Sequence, residues 1–294
     1  MPDPVLPFRW PVHQRSRLGS LADVATLAPF PGFRDDLLGC AARVLAHAQD
    51  GDLYFVGRSP ESLHDFLLGL LQTTTWRDRP RLLQFSARGL VDGRLPAGTG
   101  LGAQRAFHAY CHGLHLSPER LASAARPATL IDLVAGGRTL GQLLLLLRSW
   151  CDDAGVDWSM ARRKLRIVGI TLATTPGPHT WRWWQQVDWV DQLGPVALRT
   201  VAVPEQLWCY LGNDQPKVTK SYPAMRGGLA ETASPRGNGD EPVALTVANA
   251  LYQEGRRKQC RQRLVRLMVR ERAMRHPWYR RLVFQLRGGA VASA

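Results

Sequence analysis

The sequence predicts an α/β protein: a mainly parallel sheet with helices on both faces, continued by a basic helical extension at its C-terminal end. Three observations predict it. Apolar runs of strand length occupy residues 52–56, 81–85, 130–134, 164–172 and 197–203. Segments with helical spacing of apolar residues lie between several of them, and this alternation implies parallel strands joined by crossover helices, with ligands at the carboxyl ends of the strands. The basic charge is concentrated at one end: between Gly255 and Gly288 twelve Arg or Lys stand against one acid, Glu271, which accounts for +11 of the chain's formal +14.

Taken in order, residues 1–34 are rich in proline and read as an irregular N-terminal arm. Residues 35–49 carry Leu37, Leu38, Ala41, Val44, Leu45 and Ala48 at helical spacing, and Asp50-Gly51 ends that helix. The strand at 52–56 runs into Gly57-Arg58-Ser59-Pro60 and then a helix over 61–71, with Ser59 suited to its cap and Pro60 to its first position. After the strand at 81–85, residues 89–102 are glycine-rich and without period. On a helix over 107–116, His108, His112 and His115 would share one face as zinc ligands can. Gly113 weakens that helix and no metalloprotease glutamate accompanies it, so surface or core histidines are the alternative and no metal ligand is assigned.

Residues 129–150 are the most informative stretch. An apolar run containing Asp132 stops at Gly136-Gly137 and passes through Arg138 and Thr139 into a leucine-rich helical segment. Glycines let backbone approach a ligand closely, Thr139 suits a cap, and the unpaired N–H groups of a helix start favour an anion. The forecast is a phosphate site; a plain tight turn uses the same pattern. Strands over 164–172 and 197–203 follow, with a further short one at 208–211. Between them Trp181, Arg182, Trp183, Trp184 and Trp189 offer faces for stacking on bases, or for packing in a core or subunit contact.

Residues 225–242 are a linker by composition, with Gly227-Gly228, Ser234-Pro235 and Pro242. Residues 243–275 read as one long helix ended by Pro277, with Leu251, Cys260, Leu264, Leu267 and Met268 on one stripe. Its arginines grip a phosphate backbone, lie on an anionic membrane, or remain solvated while the stripe docks on protein. The nucleic-acid reading rests on Arg256, Arg257, Lys258, Arg261, Arg263, Arg266 and Arg270.

Composition sets the outer bounds. At 294 residues and 45 % apolar content the chain can bury a substantial core. Its five cysteines are scattered without a Cys-x-x-Cys pair, which argues against zinc ribbons and disulfide frameworks and for a reducing cytoplasm. No apolar run approaches the about 20 residues of a membrane span, and the opening residues lack the order of a secretory signal, so an intracellular soluble protein is expected.

The segment Leu130 to Thr139 resembles the phosphoribosyl-diphosphate (PRPP) loop of type I phosphoribosyltransferases, where an apolar strand ends in two acids before a small-residue loop. Asp132 stands at the second acid, which in the family holds a ribose hydroxyl. Ile131 stands at the first, and Ala135 where some members carry a further catalytic acid. The resemblance implies a Rossmann-like, phosphoribosyltransferase-like domain over residues 35–224. It places the 5-phosphate on Gly136, Gly137, Arg138 and Thr139, the pyrophosphate on Gly57, Arg58 and Ser59, the catalytic role on Asp132, and Mg²⁺ with the bound PRPP. Two functions remain open. One is transfer of phosphoribosyl to or from a nitrogen base. The other is a catalytically reduced nucleotide sensor or effector, of the kind found in bacterial defence complexes, that engages RNA, DNA or a nucleoprotein through the basic region at 243–294. A homodimer or a protein complex is compatible with either.

Overall fold

The computed structural model describes residues 9, 12–13, 29–94, 101–174, 182–218 and 241–288. Most of the N-terminal arm, Trp181 and nearly all of the 225–242 linker lie outside them. Strands β1 (Asp52–Val56), β2 (Pro80–Leu83), β3 (Ala128–Leu133), β4 (Leu165–Leu172) and β5 (Ala197–Val203) form one parallel sheet in the order β2-β1-β3-β4-β5. Alternate residues on each strand feed two separate cores. Leu53, Phe55, Ile131, Val168 and Val201 pack beneath α1 (Phe33–His47), α2 (Glu61–Leu71) and α8 (Glu205–Cys209). Tyr54, Val56, Leu130, Ile167 and Leu198 pack beneath α3 (Leu101–Gly113), α4 (Pro118–Ser123), α5 (Arg138–Asp153), α6 (Trp158–Arg162) and α7 (Trp189–Leu193). Burial on both faces explains why the strands read as continuous apolar runs rather than as alternating ones.

The C-terminal region is α9 (Glu241–Arg256), α10 (Lys258–Met268) and α11 (Pro277–Leu286). The expected apolar stripe exists, and Leu251, Cys260, Leu264 and Met268 join the same core as α1 and α2. Helix α9 crosses α2 at two glycines. A Cβ on Gly255 would sit 2.5 Å from the Phe66 carbonyl oxygen, and one on Gly69 would run into the Tyr252 carbonyl.

Four local expectations are corrected. The long helix over 243–275 breaks at Arg257, whose extended backbone (ψ 133°) starts a second helix, and residues of both segments, Leu251 on the first and Leu264 and Met268 on the second, are buried in the same core. Residues 208–211 are helical, because Leu207, Tyr210 and Leu211 recur at helical spacing and are all buried. Neither expected hydroxyl cap forms: Pro60 holds the N-cap position of α2, while Gly137, left-handed at φ 67°, holds that of α5. Finally, α3 ends at Gly113 and His115 lies beyond it at φ 63°, so the three histidines share no helical face.

Candidate functional site

Strand order determines where the site lies. The chain leaves β1 through α2 on one face of the sheet and leaves β3 through α5 on the other, so the β1/β3 boundary is the topological switch point. A crevice opens beyond the strand ends at such a boundary because the two connections diverge. The loops that leave β1 and β3 at that end are residues 57–60 and 134–137, the same two loops singled out by sequence.

On the β1 side, Gly57 turns the chain at φ 74° and donates its N–H to the Leu83 carbonyl at 2.8 Å. Arg58 and Ser59 follow, both half-buried. The Ser59 carbonyl accepts from Gln215 Nε2 at 2.5 Å, and Gln215 Oε1 accepts from the Ser62 N–H at 3.2 Å and the Ser62 hydroxyl at 2.5 Å. One buried amide thus ties the loop, the first turn of α2 and the segment after α8 together.

On the β3 side, Ala135, Gly136 and Arg138 are exposed, and a Cβ placed on Gly136 meets nothing within 4 Å. Gly137 is buried under an indole: a Cβ there would lie 3.0 Å from Trp183 Cζ3. No side chain caps α5, whose first backbone bond runs from the Gly141 N–H to the Gly137 carbonyl at 3.0 Å, so the preceding N–H groups face the loop. Arg138 reaches sideways and donates to the Leu90 carbonyl at 3.3 Å, while Gln142 accepts from the Gly93 N–H at 2.8 Å. Both contacts tie the connection after β2 to the first turns of α5.

Asp132 is the penultimate residue of β3. It is 6 % exposed, and its Oδ1 accepts from the Leu133 N–H at 2.8 Å. Burial raises its pKa well above the usual carboxylate range, the single backbone bond opposing. Asp132 pairs in register with Gly169, and Trp183 lies against that glycine; a Cβ on Gly169 would be 2.8 Å from Trp183 Nε1. The absence of side chains at 137 and 169 makes room for Trp183 beside Asp132. Its indole N–H is buried without a hydrogen-bond partner.

Behind the β1 loop is a polar cluster that motif reading overlooked. Arg9 Nη2 donates to Asp65 Oδ2 at 2.6 Å, His64 Nδ1 lies 3.0 Å from Asp65 Oδ1, and Glu61 accepts from the Val218 N–H at 3.1 Å. Burial pushes Glu61 up to about 7 against the pull of Arg9, and pushes Lys217 down to about 8 against Glu61. Burial would also raise Asp65, but Arg9 and His64 outweigh it and hold the carboxyl below its ordinary value. The signal was present in the sequence, since Glu61, His64 and Asp65 interrupt an otherwise apolar helix.

The seven basic residues assigned to nucleic acid lie elsewhere, from the end of α9 through the break at Arg257 and along α10 to Arg270 just beyond it. Arg263 pairs with Asp35, Arg257 with Glu254 at 3.0 Å, and Arg261 donates to the Arg256 carbonyl; Lys258, Arg266 and Arg270 are exposed. Among the described residues no group of three or more His, Cys, Asp or Glu is placed to hold a metal, and no helix is long and apolar enough to cross a membrane. No protein-family model, curated protein or solved structure matches this chain.

Proposed function

We propose that the chain is a phosphoribosyltransferase-like protein that binds PRPP, or the 5-phosphate of a nucleotide, in the β1/β3 crevice. One observation carries the reading. The open Gly136 loop at an uncapped helix start and the Arg58 loop leave adjacent parallel strands, β3 and β1, at the same end of the sheet, with Asp132 near the end of β3 before its loop. In this reading the N–H groups at residues 137–140 and Thr139 receive the 5-phosphate, Asp132 a ribose hydroxyl, and Gly57, Arg58 and Ser59 the diphosphate. Mg²⁺ would arrive with PRPP, held by its oxygens and by water, because Asp132 is the one carboxylate offered by the strand end.

We favour binding or sensing over efficient transfer to or from a nitrogen base. Ile131 occupies the first acid's position and is buried with 0 % exposure in the core beneath α1 and α2, on the opposite face from Asp132. Asp132 itself is biased toward its neutral form by burial. The test is calorimetric titration with PRPP and Mg²⁺, against ribose 5-phosphate and a nucleoside monophosphate, repeated in Asp132→Asn. Saturable binding weakened by the variant supports the reading; heat indistinguishable from dilution for all three ligands overturns it.

A second reading concerns the basic face and is supported by one residue. On α11 Phe284 is 56 % exposed, flanked along the helix by exposed Arg280, Arg281 and Arg287, while Leu282, Val283 and Leu286 are buried. Arginines around an exposed ring suit a nucleic-acid strand, with phosphates on the guanidiniums and a base on the ring. Anisotropy titrations of a labelled single-stranded RNA across a salt series test it. Arg281→Glu with Arg287→Glu is expected to weaken binding and flatten the salt dependence; an unchanged slope speaks against this surface.

A further inference from the structure

A cavity lies at the end of the sheet where β1 and β3 begin, opposite the loops at 57–60 and 134–137. It measures about 250 Å³, room for about eight water molecules by volume, and is lined by Asp52, Tyr54, His115, Arg120 and Arg126 among others. Arg81 borders it, with its guanidinium carbon 5.8 Å from the Tyr54 ring centroid.

The walls are built rather than incidental. Tyr54 donates its hydroxyl to the Leu114 carbonyl at 2.8 Å, and Arg81 Nη1 donates to the same oxygen at 3.4 Å, which fixes the end of α3. The next residue, His115, is left-handed at φ 63° and closes the helix end, with the Leu116 N–H donating to the Cys111 carbonyl at 2.8 Å and the His115 N–H to the His112 carbonyl at 3.0 Å, so its ring is held at the cavity mouth. Arg120 Nη1 lies 2.6 Å from His115 Nδ1. A guanidinium can only donate, so Nδ1 accepts and the ring is the neutral tautomer with its proton on Nε2. Partial burial, Arg81 and Arg120 favour that neutral form.

Charge around the cavity is unbalanced. Arg79 and Asp50 satisfy each other nearby through a 2.6 Å contact. That leaves Arg81, Arg120 and Arg126 against the single carboxylate of Asp52, a surplus of two positive charges once His115 is neutral. The Asp52 carboxylate is itself incompletely satisfied: Oδ1 is buried, lies 3.4 Å from Arg126 Nε, and has no hydrogen-bond partner. The site therefore offers cationic donors for a dianion and, beside them, one buried acceptor in want of a hydroxyl or amine.

We propose that this cavity binds a small phosphate monoester with a hydroxyl close to its phosphate, such as a short sugar or polyol phosphate. The phosphate lies among Arg120, Arg126 and Arg81, with His115 as a further donor, and the ligand hydroxyl donates to Asp52. A monoester carries about two negative charges near neutral pH, matching the surplus. This site is separate from the switch-point crevice and does not rest on the reading given to it.

The probe is glycerol 3-phosphate, compared with inorganic phosphate and with glycerol, titrated into the full chain by calorimetry while the His115 ring resonances are followed by NMR. Glycerol 3-phosphate is expected to shift the His115 signals saturably and to bind about tenfold more tightly than inorganic phosphate, one added hydrogen bond to a charged acceptor. Asp52→Asn should remove most of that preference. Arg120→Ala with Arg126→Ala should abolish glycerol 3-phosphate binding, and Gly136→Ala should leave it intact. The arginines are exposed, so circular dichroism is expected to be unchanged in the double variant. The proposal is overturned if His115 does not respond, if the double arginine variant still binds, or if Gly136→Ala removes the binding.

Discussion

Gly136 and Gly137 are neighbours with opposite roles, and replacing each by alanine separates ligand contact from folding. Gly137 is left-handed at φ 67°, and a Cβ there would lie 3.0 Å from Trp183 Cζ3. An L-residue in that conformation costs about 1–2 kcal/mol, offset in part by about 0.4–1 kcal/mol from a stiffer unfolded chain. Gly137→Ala is therefore expected to lose about 1 kcal/mol, or roughly 3 °C in Tm for a domain of this size. Gly136 has neither a left-handed backbone nor a neighbour within 4 Å, so its alanine variant should be as stable as the parent or slightly more so. On the proposed reading its methyl group would instead occupy the space through which a phosphate approaches the loop. Losing one or two charge-assisted bonds costs about 1.5–3 kcal/mol, which is roughly ten- to hundredfold in the Kd for PRPP. Thermal denaturation and calorimetric titration of both variants check the pair. The reasoning is refuted if Gly136→Ala binds PRPP as the parent does, or if Gly137→Ala is equally stable.

Three further outcomes follow from packing and charge. Gly69→Ala is expected to wedge α2 from α9 against the Tyr252 carbonyl and cost about 1–3 kcal/mol, visible as a lower urea midpoint, even though alanine is the better helix former. Arg9→Met leaves Asp65 buried without its cation, for a loss of about 3–5 kcal/mol at neutral pH. Because Asp65 is held below its unfolded value, the stability it contributes is present above about pH 4 and is lost as pH falls through the folded value; urea melts of Arg9→Met at low pH should therefore converge on the parent. Glu61 has the opposite sign. Its folded pKa is raised to about 7, so its contribution is fully present below about pH 4.3 and declines as pH rises through 7. Glu61→Gln keeps an acceptor for the Val218 N–H and should flatten that decline; an unchanged pH profile of Tm would count against it.

Sequence by itself determined the class of fold and the two loops. Five strands buried on both sides leave uninterrupted apolar runs, and Gly57 and Gly137 must be left-handed where the chain leaves β1 and β3, so composition alone marks those exits. The seam of the C-terminal helices was legible for the same reason, since Leu251, Leu264 and Met268 keep helical spacing. Sequence did not determine the caps, because a hydroxyl beside a helix start gains little where glycine or proline already sets the turn. Nor did it place the break at Arg257, which depends on the core that α9 and α10 share. The tertiary structure alone decided that β1 neighbours β3, since pairing between strands distant in the chain leaves no local signature. That adjacency brings the exits of β1 and β3 side by side; the β3/β4 register sets Trp183 against Gly169, the partner of Asp132, and side-chain contacts tie Arg9 to Asp65 and Gln215 to Ser59. Each is a contact between segments far apart in sequence, where one residue type carries no record of its partner.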